Sequence, residues 1–211
     1  MRITAALLAC LLVPLLWAAS GCKLLAAPAL MWGSEPTKEI PAEYPYLPGK
    51  KVCIAVWADS ETLIEYPWVQ LDVSEHVSAA METAVRGISF VPNRKVVELQ
   101  RRESDWDRRD PALLGARFGA DRVLMIELTQ YTTREPESPH LYRGRISANV
   151  KVYDTQYPSS APTYRTGVEV VYPLESMGQW GTDDQAIRKA TMGAFAQEVA
   201  GKFYDRRVKV K

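Results

Sequence analysis

The chain has 211 residues, 47% of them hydrophobic, and sets 26 basic side chains against 25 acidic ones. A formal charge of only +1 excludes the broad cationic footprint by which proteins grip nucleic acid through its phosphates. The local basic clusters, Arg101-Arg102, Arg108-Arg109 and Arg206 to Lys211, read as solvated surface, the last adding weak attraction to anionic membrane or wall polymers.

Taken in order, Arg2 is the only charge before Lys23, and Ile3 to Trp17 is almost wholly apolar. That run falls short of the roughly 20 residues of a membrane span and suits the core of an export signal. Ala18, Ala19, Ser20 and Gly21 then supply the small side chains that a signal peptidase needs around its cut. The stretch Ala19-Ser20-Gly21-Cys22 resembles the bacterial lipobox, with Ala19 where a leucine is usual. The resemblance implies cleavage after Gly21, palmitate-type acyl chains on Cys22, and attachment to the membrane through that residue. A plain secretory signal with an incidental cysteine, or an uncleaved anchor, are the alternatives. Lys23 departs from the aspartate that retains lipoproteins in the inner membrane of enteric bacteria, which favours the outer membrane, facing the periplasm.

Loss of residues 1–21 removes Arg2 alone and leaves 25 basic and 25 acidic groups. Cys10 leaves with the signal and Cys22 carries lipid, so Cys53 has no partner for an intramolecular disulfide. Within the apolar run Val52 to Trp57 it is expected to be a small buried thiol. Residues 22–49 read as a tether, because Pro28, Pro36, Pro41, Pro45 and Pro48 forbid a helix or a central strand. The apolar stretch Leu24 to Trp32 either lies at the bilayer surface or packs on the folded part.

A domain is expected over residues 50–204, followed by a basic tail at 205–211. Lys51 to Ala58 is β-branched and apolar, a strand buried on both faces. Asp59 to Leu71 reads as a loop, and Asp72-Val73-Ser74-Glu75 has the spacing of a capping box opening a helix to Arg86, stopped by Gly87. A short strand at Ile88 to Val91 precedes a helix over roughly Lys95 to Glu103. Asp110-Pro111 starts a further helix through Phe118, ended by Gly119. Strands follow at Asp121 to Tyr131, Leu141 to Asp154 and Thr163 to Tyr172, the second alternating apolar and polar residues. Thr182-Asp183-Asp184 opens the last helix. The fold class is α/β (α+β), with a mixed sheet of about four to five strands packed by helices.

The segment "LLGARFGADRVLMIELTQY", with "VCIAVWAD" before it and the closing helix, resembles periplasmic domains of the TolB amino-terminal type. That group includes the curli-secretion lipoprotein and penicillin-binding-protein activator lipoproteins. The resemblance covers about Lys51 to Phe203 and implies a domain that works by assembly and contact. Gly119, Ala120 and Asp121 match the motif and carry structural roles.

The residues offer little catalytic chemistry. His76 and His140 lack metal-ligand spacing, and neither a phosphate-binding lysine loop nor a nucleophile elbow is present. Glu103, Asp105, Asp107 and Asp110 interleave with Arg101, Arg102, Arg108 and Arg109 as an ion-paired loop around Trp106. No catalytic residue, metal or cofactor is expected. Tyr66, Trp68, Trp106 and Trp180 fall in loops and form the candidate partner surface. The expected function is a non-enzymatic, lipid-anchored envelope accessory or assembly protein, bound to envelope proteins of a secretion, transport or wall complex and potentially to itself. The competing reading is an envelope enzyme or small-ligand binder acting on wall or glycan material.

Overall fold

A computed structural model describes residues 37–135, 138–174 and 183–209. The export signal, Gly21, Cys22, the stretch Leu24 to Trp32, Trp180 and Thr182 lie outside the described residues. Thr37–Ile40 (β1) and Arg206–Lys209 (β7) form a two-stranded sheet, tied by an exposed Arg207–Glu39 ion pair of 2.7 Å. Where the sequence reads as tether and solvated tail, each segment finds a strand partner in the other.

The main unit, Pro41 to Arg206, is built on a five-stranded sheet. Its strands are Lys51–Trp57 (β2), Ser89–Phe90 (β3), Arg122–Glu135 (β4), Ser138–Asp154 (β5) and Tyr164–Tyr172 (β6), in the order β3-β2-β4-β5-β6. β2 pairs in parallel with β3 and β4, whereas β4–β5 and β5–β6 are antiparallel. The sheet is mixed and helix-packed, as the sequence leads one to expect.

The helices are Ser60–Glu65 (α1), Val69–Ala84 (α2), Asn93–Arg102 (α3), Pro111–Arg117 (α4) and Asp184–Ala200 (α5), with a 3-10 turn at Trp106–Arg108. One predicted start holds to the residue, and a second is capped by Asp183, the middle residue of the predicted Thr182-Asp183-Asp184 opening. The Asp110 carboxylate accepts from Ala112 N (2.9 Å) ahead of Pro111, and Asp183 accepts from Ala186 N (2.6 Å). Gly119 takes φ +61°, and beside it Asp121 accepts from Lys51 N (2.8 Å), locking the starts of β2 and β4 together.

Three expectations are corrected. The stretch Asp59 to Leu71 contains α1, whose first turn is capped when Asp59 accepts from Thr62 N (2.8 Å). α2 begins at Val69, three residues before the capping-box aspartate. Val69 and Gln70 are buried, and Gln70 Nε2 donates to Val56 O (2.9 Å), so packing against β2 extends the helix backwards. Finally, residues 41–49 are not a leash. Tyr44 and Leu47 sit in the core, Tyr44 N donates to Lys202 O (3.0 Å), and Gly49 N donates to Arg86 O (3.1 Å). Pro41, Pro45 and Pro48 keep this segment extended without preventing the side chains between them from being buried.

The sheet has two unlike faces. Val52, Ile54 and Val56 of β2, Leu124 and Ile126 of β4, and Ile146, Val150 and Val152 of β5 pack against α2 and α5. Cys53 and Ala55 of β2, with Val123 and Met125 of β4, face the opposite way and pack against α3, Trp106 and α4. α5 comes down so closely that a Cβ on Gly144 of β5 would collide with the Thr191 side chain.

Candidate functional site

Of the four aromatic residues expected on a partner surface, three lie among the described residues, and one of these is exposed. Trp68 is 57% exposed at the start of α2. The Arg101 guanidinium of α3 lies over its ring, 4.2 Å from the centroid, and is itself fixed by donating to Pro67 O (2.9 Å). Between α2 and α3 this pair borders a groove of about 520 Å³. Leu71 and Val97 give the groove apolar lining, while Asp72, Glu75, Glu98 and Arg94 give it charge of both signs.

Tyr66 and Trp106 are corrected to buried positions, each 8% exposed. Tyr66 meets Tyr131 edge-on, with ring centroids 4.7 Å apart, and its hydroxyl shares a 3.1 Å hydrogen bond with that of Thr133. Burial pushes both tyrosine hydroxyls above their ordinary pKa, so both remain neutral. Trp106 is drawn inward by Leu99, Leu114, Val123 and Met125, an apolar wall that its polar sequence neighbours conceal. Trp180 lies outside the described residues, so nothing places it beside Trp68.

A second opening lies where the cover of α3 and the 3-10 turn ends, a cleft of about 330 Å³ lined by Trp57, Trp106, Asp107, Met125 and Glu127. Trp57 Nε1 donates to Asp107 Oδ2 (3.3 Å), and Lys151 Nζ donates to both Glu127 oxygens at 2.6 and 2.7 Å. Trp57, Glu127 and Lys151 are not singled out by sequence reasoning. A signal existed for one of them: Glu127 interrupts the apolar run of β4 directly opposite Trp57 in the strand register.

The interleaved acids and arginines do form an ion-paired surface. Arg109 bridges Glu103 (2.6 Å) and Asp105 (3.0 Å), and Arg117 also meets Glu103 (2.8 Å). The Arg117 guanidinium holds the Glu103 carboxyl below its usual range. The Cys53 thiol is fully buried, and desolvation pushes it up to about 12, against a small opposing pull from Lys51, which leaves it an inert thiol at neutral pH. His76 is on α2, with Nδ1 2.7 Å from Asp72 O, and His140 is exposed on β5. Among the described residues no group of three or more His, Cys, Asp or Glu side chains could hold a metal ion.

No family model matches the chain, and no curated protein matches it. Solved structures of similar shape include a PelC dodecamer from Paraburkholderia phytofirmans, at 7% identity over 82% of this chain and 99% of that one, with a TM-score of 0.48. A lipoprotein from Neisseria meningitidis aligns at 15% identity over 71% and 97%, with a TM-score of 0.44. A protein from Xanthomonas campestris aligns at 12% over 76% and 88%, with a TM-score of 0.46. At these scores the likenesses transfer neither activity nor partners to this chain.

Proposed function

We propose that this is a lipid-anchored protein of the bacterial cell envelope, held at the membrane through Cys22, whose domain of the TolB amino-terminal kind binds partner proteins as an accessory or assembly factor. The observation that carries the contact reading is Trp68. A large apolar ring left in water, yet fixed by Arg101 beside an open groove, is ordered before any partner arrives, and such anchors bind with little loss of side-chain freedom. The chemistry-bearing side chains support contact over catalysis, since Glu103, Asp105 and Glu127 are engaged in ion pairs and Cys53 is buried. The lipobox-like Ala19-Ser20-Gly21-Cys22 supports the anchor, and Lys23 supports the outer membrane.

A second reading, a small-ligand binder of the envelope, rests on the cleft of Trp57, Trp106, Asp107 and Glu127, where indole rings and carboxylates converge. One experiment separates the two. A photo-crosslinking residue at position 68 is expected to capture a discrete envelope protein, while the same residue at the exposed Tyr157 position is not. Equal labelling from both positions, or none from 68, sinks the contact reading. Cys22→Ser is expected to abolish acyl labelling and release the protein from membranes. Unchanged membrane partition of that variant would show that the anchor lies elsewhere.

A further inference from the structure

The two edges of the five-stranded sheet are treated differently. β3, at one edge, has only two residues and is followed by Pro92. β6, at the other, runs for nine residues without proline, in unbroken register with β5 from Gly144↔Tyr172 to Val152↔Tyr164. Among the described residues β6 pairs with β5 alone, so its second edge presents a regular row of backbone donors and acceptors. Long edges free of bulges and proline are templates for another strand, unless the charged side chains they carry meet like charges there.

The side chains favour one strand in particular. Arg165, Gly167 and Glu169 are exposed on the face of β6 opposite the α5 helix. When β6 lies antiparallel to a second β6 about a two-fold axis through Gly167, each Arg165 falls opposite the partner's Glu169, so both charge pairs form at once. Shifting the axis to Thr166 or Val168 loses both pairs, and shifting it to Arg165 or Glu169 sets like charges face to face. Opposite charges directly across a strand pair stabilise it and like charges weaken it, so the register is chosen by the charges. The same symmetry makes the contact closed and self-complementary.

We infer that the open edge of β6 is a self-association surface, where two copies of this chain join their sheets in an antiparallel pair centred on Gly167. The assembly is a continuous sheet of twice five strands. It stands on the geometry of β6 alone and is independent of the envelope reading above.

The test uses the full chain, in whichever cell fraction holds it. A Cβ on Gly167 meets nothing within 4 Å, so Gly167→Cys should be accepted. Across an antiparallel pair the facing Cα atoms lie about 4.5–5.5 Å apart, within disulfide range. Mild oxidation of Gly167→Cys should therefore give a covalent dimer, whereas Tyr157→Cys should not. Separately tagged Arg165→Cys and Glu169→Cys chains should crosslink to each other, and Arg165→Cys should not crosslink to itself. In sedimentation of the purified full chain at low salt, Arg165→Glu should weaken dimerisation about tenfold and the added Glu169→Arg should restore it. A folded Gly167→Cys protein that stays monomeric, crosslinks to a different protein, or a double variant no better than the single one would overturn the inference.

Discussion

The two faces of the sheet use the same strands for different ends. On one, α2 and α5 cover the sheet, and Leu124, Ile126, Leu128, Ile146 and Phe195 are all at most 2% exposed. On the other, α3, the 3-10 turn and α4 cover β2 and β4, while Asn149 of β5 and Arg165 and Glu169 of β6 face water. Parallel strands buried on both sides therefore give way, within one sheet, to antiparallel strands with a dry side and a wet one. The Trp57–Glu127 cleft marks that boundary. The first face carries the larger buried apolar cluster and the second the smaller one.

The largest effect that could break this contrast is in the core. Phe195→Ala, on the closed face, is expected to lower stability by about 3–5 kcal/mol in urea unfolding. Trp106→Ala should lower it less, although the ring is larger, because a cleft already opens beside it. An equal loss would mean that the second face is packed as completely as the first. Next come two glycines on neighbouring strands. Gly144→Ala drives a methyl group into Thr191 and is expected to destabilise by about 1–3 kcal/mol, whereas Gly167→Ala, with open space around it, should stay within about 0.5 kcal/mol. Similar losses at both would remove the distinction between dry and wet sides.

The smallest effect concerns the segment that the proline pattern misassigns. Glu43 accepts from the Tyr164 hydroxyl (2.6 Å) and pairs with Lys202 (3.0 Å), contacts that hold its carboxyl below the usual range. A depressed carboxyl stabilises the fold above its unfolded pKa of about 4.3, and that stabilisation fades as pH falls through the lower folded value. The Glu43 side chain is 45% exposed, so solvent screening limits the effect to about 1 kcal/mol or less. Glu43→Gln should accordingly be slightly less stable than the wild type at pH 7 and indistinguishable from it at about pH 2. A difference that persists unchanged in acid would assign it to packing rather than charge.

Much of the fold is legible in local patterns. Val52 to Val56 announces a strand buried on both faces, Asp110-Pro111 and Asp183 announce helix starts, and Gly119 announces a left-handed stop, because each depends on a residue and its near neighbours. The candidate surface is less legible. Tyr66, Trp68 and Trp106 all sit among polar or proline-rich neighbours, and only Trp68 stays in water. What separates them is the wall each ring meets: Tyr131 for Tyr66, and β4 with α4 for Trp106.

By itself, then, the sequence determined most strands and helices of the main unit, though not α1, together with a formal charge of +1 and the buried setting of Cys53, since propensity, capping and apolar periodicity act over a few residues. Only the tertiary structure decided that Leu47 is core, that Glu39 and Arg207 join two strands, that Trp57 and Glu127 share a cleft, and that β6 pairs with β5 alone among the described residues. Those outcomes depend on what lies opposite a residue after folding, and pairings between segments far apart in the chain leave little mark on the local pattern of either.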